Sequence, residues 1–126
     1  MISILTDAPE NVAAFYAMGE TQKQDFESLV LPHIQQKHSK YQELNYMIYL
    51  NGNLEKNNME NLFRECFSNL QNLTNWNRTA IVIDDAHLEN HHEIFATLMS
   101  GELRFFSKQN IYDALYWCHN GKALSA

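Results

Sequence analysis

Glycine and proline are both scarce in this chain, at 4 and 2 of 126 residues. That shortage argues against glycine-rich phosphate loops and proline-rich linkers. Only 2 cysteines are present, Cys66 and Cys118, far apart in sequence and each on an apolar helical stripe. They read as buried thiols of a reducing compartment, not as a disulfide or a nucleophile. No run of Lys or Arg occurs; 9 basic residues are scattered through a chain of formal net charge -6. A clustered basic surface is what counterion release from nucleic acid requires, so nucleic acid is not an expected partner. Plain electrostatic adhesion to anionic lipid is disfavoured for the same reason. The opening "MISILTDAPENV" has no basic region and too short an apolar run for a signal peptide. No segment approaches the length of a membrane span. The expected location is therefore the cytoplasm.

What is present suits a folded core: 45% hydrophobic and 12% aromatic residues in a length that fits one domain, residues 1–126. Strand-like runs fall at 2–5 and 12–18, with turn formers Asp7, Pro9 and Asn11 between them, and read as an antiparallel pair. A helix follows Gly19; Thr21 and Gln24 have capping-box spacing, and Phe26, Leu29, Val30 and Ile34 form its inner stripe. Pro32 sits inside that pattern and predicts a kink or a restarted turn. "LNYMIYL" (44–50) is apolar on both faces apart from Asn45 and suits a central strand. A second helix from about Asn58 places Met59, Leu62, Phe63, Cys66, Phe67, Leu70 and Leu73 on one face, with Asn57 and Glu60 at capping-box spacing. "TAIVI" (79–83) reads as a buried parallel strand and "ELRFF" (102–106) as the last one. A short third helix covers about 91–100. The final helix, about 108–119, is capped by Ser107, carries Ile111, Ala114, Leu115 and Cys118 inward, and ends at a left-handed Gly121. The order β-β-α-β-α-β-α-β-α implies a mostly parallel five-stranded α/β sheet.

The chain resembles the SpoIIAA-like family, small bacterial proteins related in architecture to STAS domains and to the Sec14-type lipid-binding fold. The resemblance rests on "GETQKQDFESLVLPHI" (19–34), on "RTAIVIDD" (78–85) and on "GELRFFSKQNIYDALYWCHNG" (101–121). Pro32, Arg78, Phe106, Ala114 and Trp117 occupy the positions that match the family pattern. It implies a non-enzymatic binding or regulatory domain, with reversible, peripheral membrane association as one form. Related anti-sigma-factor antagonists carry a phosphorylatable serine at the start of the helix after the central strand. Between Tyr41 and Phe67 this chain has no Ser or Thr, so that switch lacks its acceptor hydroxyl.

Three candidate sites stand out. In "HLENHHEIF" (87–95), His87 and His91 have the i, i+4 spacing of a zinc pair, with Asp85 nearby. Asn90 and Glu93, however, form a capping box that starts the helix at His91 and leaves His87 in the loop. Asp84 and Asp85 stand where open α/β sheets place ligands, but Asp is also an ordinary turn residue. No metal, cofactor or catalytic residue is therefore expected. The third candidate is apolar: Met59, Phe63 and Phe67 with Leu88, Ile94, Phe95, Leu98 and Met99 suit a pocket for a small nonpolar or lipid-like molecule. The same spacing also serves a plain core. The leading expectation is a binding module for such a ligand. The rivals are a STAS-type protein-interaction domain and a small metal protein or enzyme built on Asp84, Asp85, His87 and His91. The sequence also allows a homodimer.

Overall fold

The computed structural model describes residues 2–18, 23–51, 76–83 and 101–121. They form a five-stranded sheet in the order β1-β2-β3-β4-β5. The strands are β1 (Ile2–Ile4), β2 (Ala13–Met18), β3 (Leu44–Asn51), β4 (Trp76–Ile83) and β5 (Glu102–Ser107). Only β1 runs antiparallel to its neighbour; β2, β3, β4 and β5 pair parallel. Because each strand lies next to its successor, the parallel pairs require crossovers, and the first is the helical segment 23–41.

That segment is irregular for a reason visible in its sequence. A short helix α1 (Lys23–Asp25) leads into a π-helical turn (Phe26–Val30), and α2 (Leu31–Tyr41) restarts with Pro32 in its first turn. Proline has no N–H to donate and tolerates a first turn, so the restart expected at Pro32 is what the chain adopts. At its other end α2 closes with Gln42 in the left-handed region (φ 60°), whose N–H donates to His38 O at 2.8 Å.

Strand alternation divides the core into two layers. Toward α2 point Phe15, Tyr46, Ile48, Ile81 and Ile83, packed with Val30 and Ile34. Toward the last helix, α3 (Ile111–Asn120), point Ala14, Met47, Ala80 and Val82, packed with Ala114, Trp117 and Cys118. The small residues Ala14 and Ala80 under α3 let the helix approach the sheet closely. Apart from the half-buried Tyr49, Asn77 and Arg78, both layers are buried at the described side chains of β3 and β4, as the two-sided apolar runs of those strands require.

Two expectations are corrected. β4 begins at Trp76, three residues before the apolar run, because Trp76 is buried and its Nε1–H donates to the equally buried Thr79 Oγ1 at 2.8 Å. Ser107 stands before a 3-10 turn (Lys108–Asn110) that precedes α3, but its hydroxyl makes no cap to the backbone. It instead accepts a hydrogen bond from Asn110 Nδ2 at 3.0 Å. The left-handed cap at Gly121 is present, with φ 76° and its N–H on Trp117 O at 2.6 Å. The Thr21 cap, the helices expected at about 58–73 and 91–100, and Cys66 lie outside the described residues.

Candidate functional site

All the site residues proposed from sequence fall outside the described residues: Met59, Phe63, Phe67, Leu88, Ile94, Phe95, Leu98 and Met99, and with them Asp84, Asp85, His87 and His91. Among the described residues no group of three His, Cys, Asp or Glu side chains is placed to hold a metal ion. Cys118 is buried, and its thiol donates to Tyr46 O at 3.3 Å. Burial pushes that thiol up to about 12, outweighing the nearby Arg78 guanidinium, so it is no nucleophile at neutral pH.

A groove lies instead where β3 and β4 begin. It has a volume of about 380 Å³ and is lined by Tyr41, Gln42, Glu43, Trp76 and Asn77, the size class of a small-ligand site. Its walls follow from a break in the ladder. Leu44 pairs with Trp76 and Asn45 with Arg78, so Asn77 is an extra residue on β4 and the strand bulges there. The bulge is accommodated by Gly101. A Cβ at that position would stand 2.1 Å from Trp76 O and 2.6 Å from Asn77 O.

The bulged Asn77 reaches one group on β3 and one just before it. Its Nδ2 donates to Asn45 Oδ1 at 3.0 Å and to Glu43 Oε2 at 3.3 Å. Asn45 is 1% exposed, and its Nδ2 in turn donates to Asn11 O at 3.1 Å and to Glu43 Oε1 at 3.4 Å. A buried amide is stable only when its hydrogen bonds are satisfied, so Asn45 fixes the orientation of both partners. The network continues to the end of α3. Asn11 Nδ2 donates to His119 O at 2.9 Å, and His119 Nδ1 donates to Asn11 Oδ1 at 2.6 Å. Arg78, one residue past the bulge, donates from Nε to Cys118 O at 3.0 Å and from Nη2 to His119 O at 3.1 Å. Its charge thereby sits at the negative end of the α3 dipole and occupies carbonyls the helix leaves unbonded.

A second surface lies on α3. Trp117 and Cys118 face the sheet, while Tyr112 is 73% and Tyr116 38% exposed. The tyrosines are four residues apart and neighbour each other on the outward face. Beside the buried stripe, the Arg104 guanidinium of β5 lies over the rings of Phe106 (4.9 Å) and Trp117 (5.4 Å).

A family model described as SpoIIAA-like matches residues 12–119, from just before β2 to the last turn of α3. This chain belongs to the SpoIIAA-like family. No curated protein and no solved structure matches it. The SpoIIAA-like match spans every parallel strand, the groove and the α3 tyrosines, and the mostly parallel sheet is the fold the family implies. Arg78, Phe106, Ala114 and Trp117 share a physical role in the structure: all four seat α3 on the sheet. Sequence reading marked these positions but missed the groove. Its one visible signal was Asn45, a polar residue in an otherwise apolar central strand. Among the described residues no helix is long and apolar enough to cross a membrane.

Proposed function

We propose that this SpoIIAA-like chain is a non-enzymatic regulatory domain of the STAS type that acts by binding a protein partner. The observation that carries the reading is the α3 surface, where Tyr112 and Tyr116 stand outward from a helix whose other face is locked into the core. Tyrosine offers a large, rigid contact area and is enriched among the few residues that dominate interface energies. A helix anchored by Trp117, Cys118 and Arg78 presents the pair without further ordering on binding. Phosphorylation of a serine at the helix start after β3 is not part of this reading, since no Ser or Thr lies between Tyr41 and Phe67.

The alternative, a nonpolar or lipid-like ligand with reversible membrane association, rests on residues 59–99 and is the competing outcome of the test. The tagged chain is used to capture partners from its own cell extract. The captured protein is then purified and titrated back by calorimetry. Tyr112→Ser with Tyr116→Ser is expected to weaken that binding by roughly 30-fold, the size of one strong interface residue, with the unfolding midpoint unchanged. Undiminished affinity in the double variant would refute the α3 surface. A stoichiometric lipid in native mass spectrometry of the purified chain would favour the lipid reading instead.

A further inference from the structure

We propose that the groove at the start of β3 and β4 is a binding site for a cationic nitrogen group, an ammonium or a guanidinium, held by Glu43 and Asn77. The hydrogen-bond arithmetic of the groove selects that chemistry. The amide nitrogens of Asn45 and Asn77 each carry two hydrogens, and all four are committed: to Asn11 O, to Asn45 Oδ1 and to the two oxygens of Glu43. No amide hydrogen is left to point at a ligand. Acceptors are left. Each Glu43 oxygen takes one amide hydrogen and has capacity for another, and Asn77 Oδ1 receives no hydrogen bond from the described residues. The Glu43, Asn45 and Asn77 cluster presents acceptors and no free donors, which favours a ligand rich in N–H.

Charge points the same way. Among the described residues Glu43 is bonded by neutral amides at 3.3 and 3.4 Å, and no cation pairs with it. The lysines of α2 contact groups other than Glu43. Lys37 donates to Glu10 O, and both Lys37 and Lys40 lie over the Tyr41 ring, at 6.0 and 5.3 Å. A half-buried carboxylate held by two amides keeps its charge available to an incoming cation, and the bond formed would be charge-assisted. The site is also preorganised. The bulge aims Asn77, Gly101 leaves room for the bulge, and the fully buried Asn45 locks the amide orientations. None of this depends on the α3 tyrosines.

The test is an NMR titration of the full chain with n-butylguanidinium, n-butylammonium and the uncharged n-butylurea. A blocked Ala-Arg-Ala tripeptide is run in parallel to separate a free cation from an arginine side chain of a protein. Saturable shifts at Glu43, Trp76 and Asn77 with either cation or with the tripeptide, and none with the urea, are expected. Glu43→Gln should weaken binding by at least roughly ten-fold, as loss of a charge-assisted hydrogen bond does. Asn77→Ser, which keeps a hydroxyl in place of the amide, should weaken it less, and it supplies the reading if Glu43→Gln does not fold. Equal shifts with butylurea, wild-type affinity in the folded Glu43→Gln variant, wild-type affinity in Asn77→Ser where that variant supplies the reading, or no saturable shift up to about 10 mM of either cation or the tripeptide would overturn the proposal.

Discussion

Replacing Arg78 tests whether the end of α3 is held by charge-assisted bonds from the sheet. Arg78→Met keeps the aliphatic stem and removes the donors to Cys118 O and His119 O. A hydrogen bond from a charged group is worth roughly 1.5–3 kcal/mol net. The bond to His119 O lies at the exposed side, and Asn11 Nδ2 still serves that carbonyl after the substitution. Most of the loss therefore comes from Cys118 O, which has no other partner in this network, together with about 0.5 kcal/mol from the helix dipole. The expected cost is about 2 kcal/mol. For 126 residues the unfolding entropy is about 0.26 kcal/mol per kelvin, so the midpoint should fall by about 8 °C. Urea unfolding followed by circular dichroism should show the same loss with an unchanged denaturant slope. Arg78→Lys retains the dipole attraction but not the planar fork that spans two carbonyls, and should recover less than half of the loss. A loss below about 0.5 kcal/mol in Arg78→Met would refute the assignment of α3 docking to these bonds. Full recovery by lysine would show that charge alone matters and the fork does not.

Two further outcomes follow from the same geometry. Gly101→Ala drives a Cβ into the Trp76 and Asn77 carbonyls, both backbone atoms that cannot rotate away. It should cost about 3 kcal/mol or more in urea unfolding, and a variant within about 0.5 kcal/mol of the parent would mean the bulge relaxes freely. His33 stands edge-on to Phe15 at 5.4 Å, and burial, with Lys37 adding, lowers its pKa from 6.5. Its unfolded form takes up a proton first, so its contribution is intact above pH 6.5 and is lost as pH falls through the lowered folded value. The drop in urea midpoint from pH 7.5 to 5.5 should shrink in His33→Gln, and an unaltered drop would assign the effect to another group.

The regular part of the fold was legible because each regular element carries its own local signal. β3 and β4 are apolar on both faces, which is the mark of central parallel strands, and both lie in the middle of the sheet. Pro32 and Gly121 act through backbone geometry that no tertiary contact overrides, and both ended up where their chemistry places them. Ser107 failed as a cap because capping is a competition: Asn110 offered its hydroxyl a partner, and a 3-10 turn replaced the first turn of the helix. The groove was illegible for a different reason. Asn45 meets Asn77 across 32 residues of sequence and Asn11 across 34. Periodicity reports which face a residue occupies, not which residue of another strand stands opposite. A bulge is a difference of one residue between two ladders, and the polar "WNR" that makes it looks like a loop until Trp76 is found buried.

The placement of the groove separates it from the site that strand order alone would suggest. Open α/β sheets place their ligands beyond the carboxyl ends of the parallel strands, the end of β4 that runs on in sequence to Asp84 and Asp85. The groove opens at the amino ends, beside Trp76 and Asn77. β4 runs from Trp76 to Ile83, and at about 3.3 Å per residue its ends stand roughly 23 Å apart. That exceeds a Debye length at physiological salt and the range over which substitutions couple through shared contacts. Charge changes at Glu43 and beside Ile83, at the carboxyl end of β4, are therefore independent probes. A ligand effect that follows Glu43 belongs to the bulge and its amides, and one that follows a charge placed beside Ile83 belongs to the opposite end of the sheet. Neither result can be produced by the other end acting at a distance.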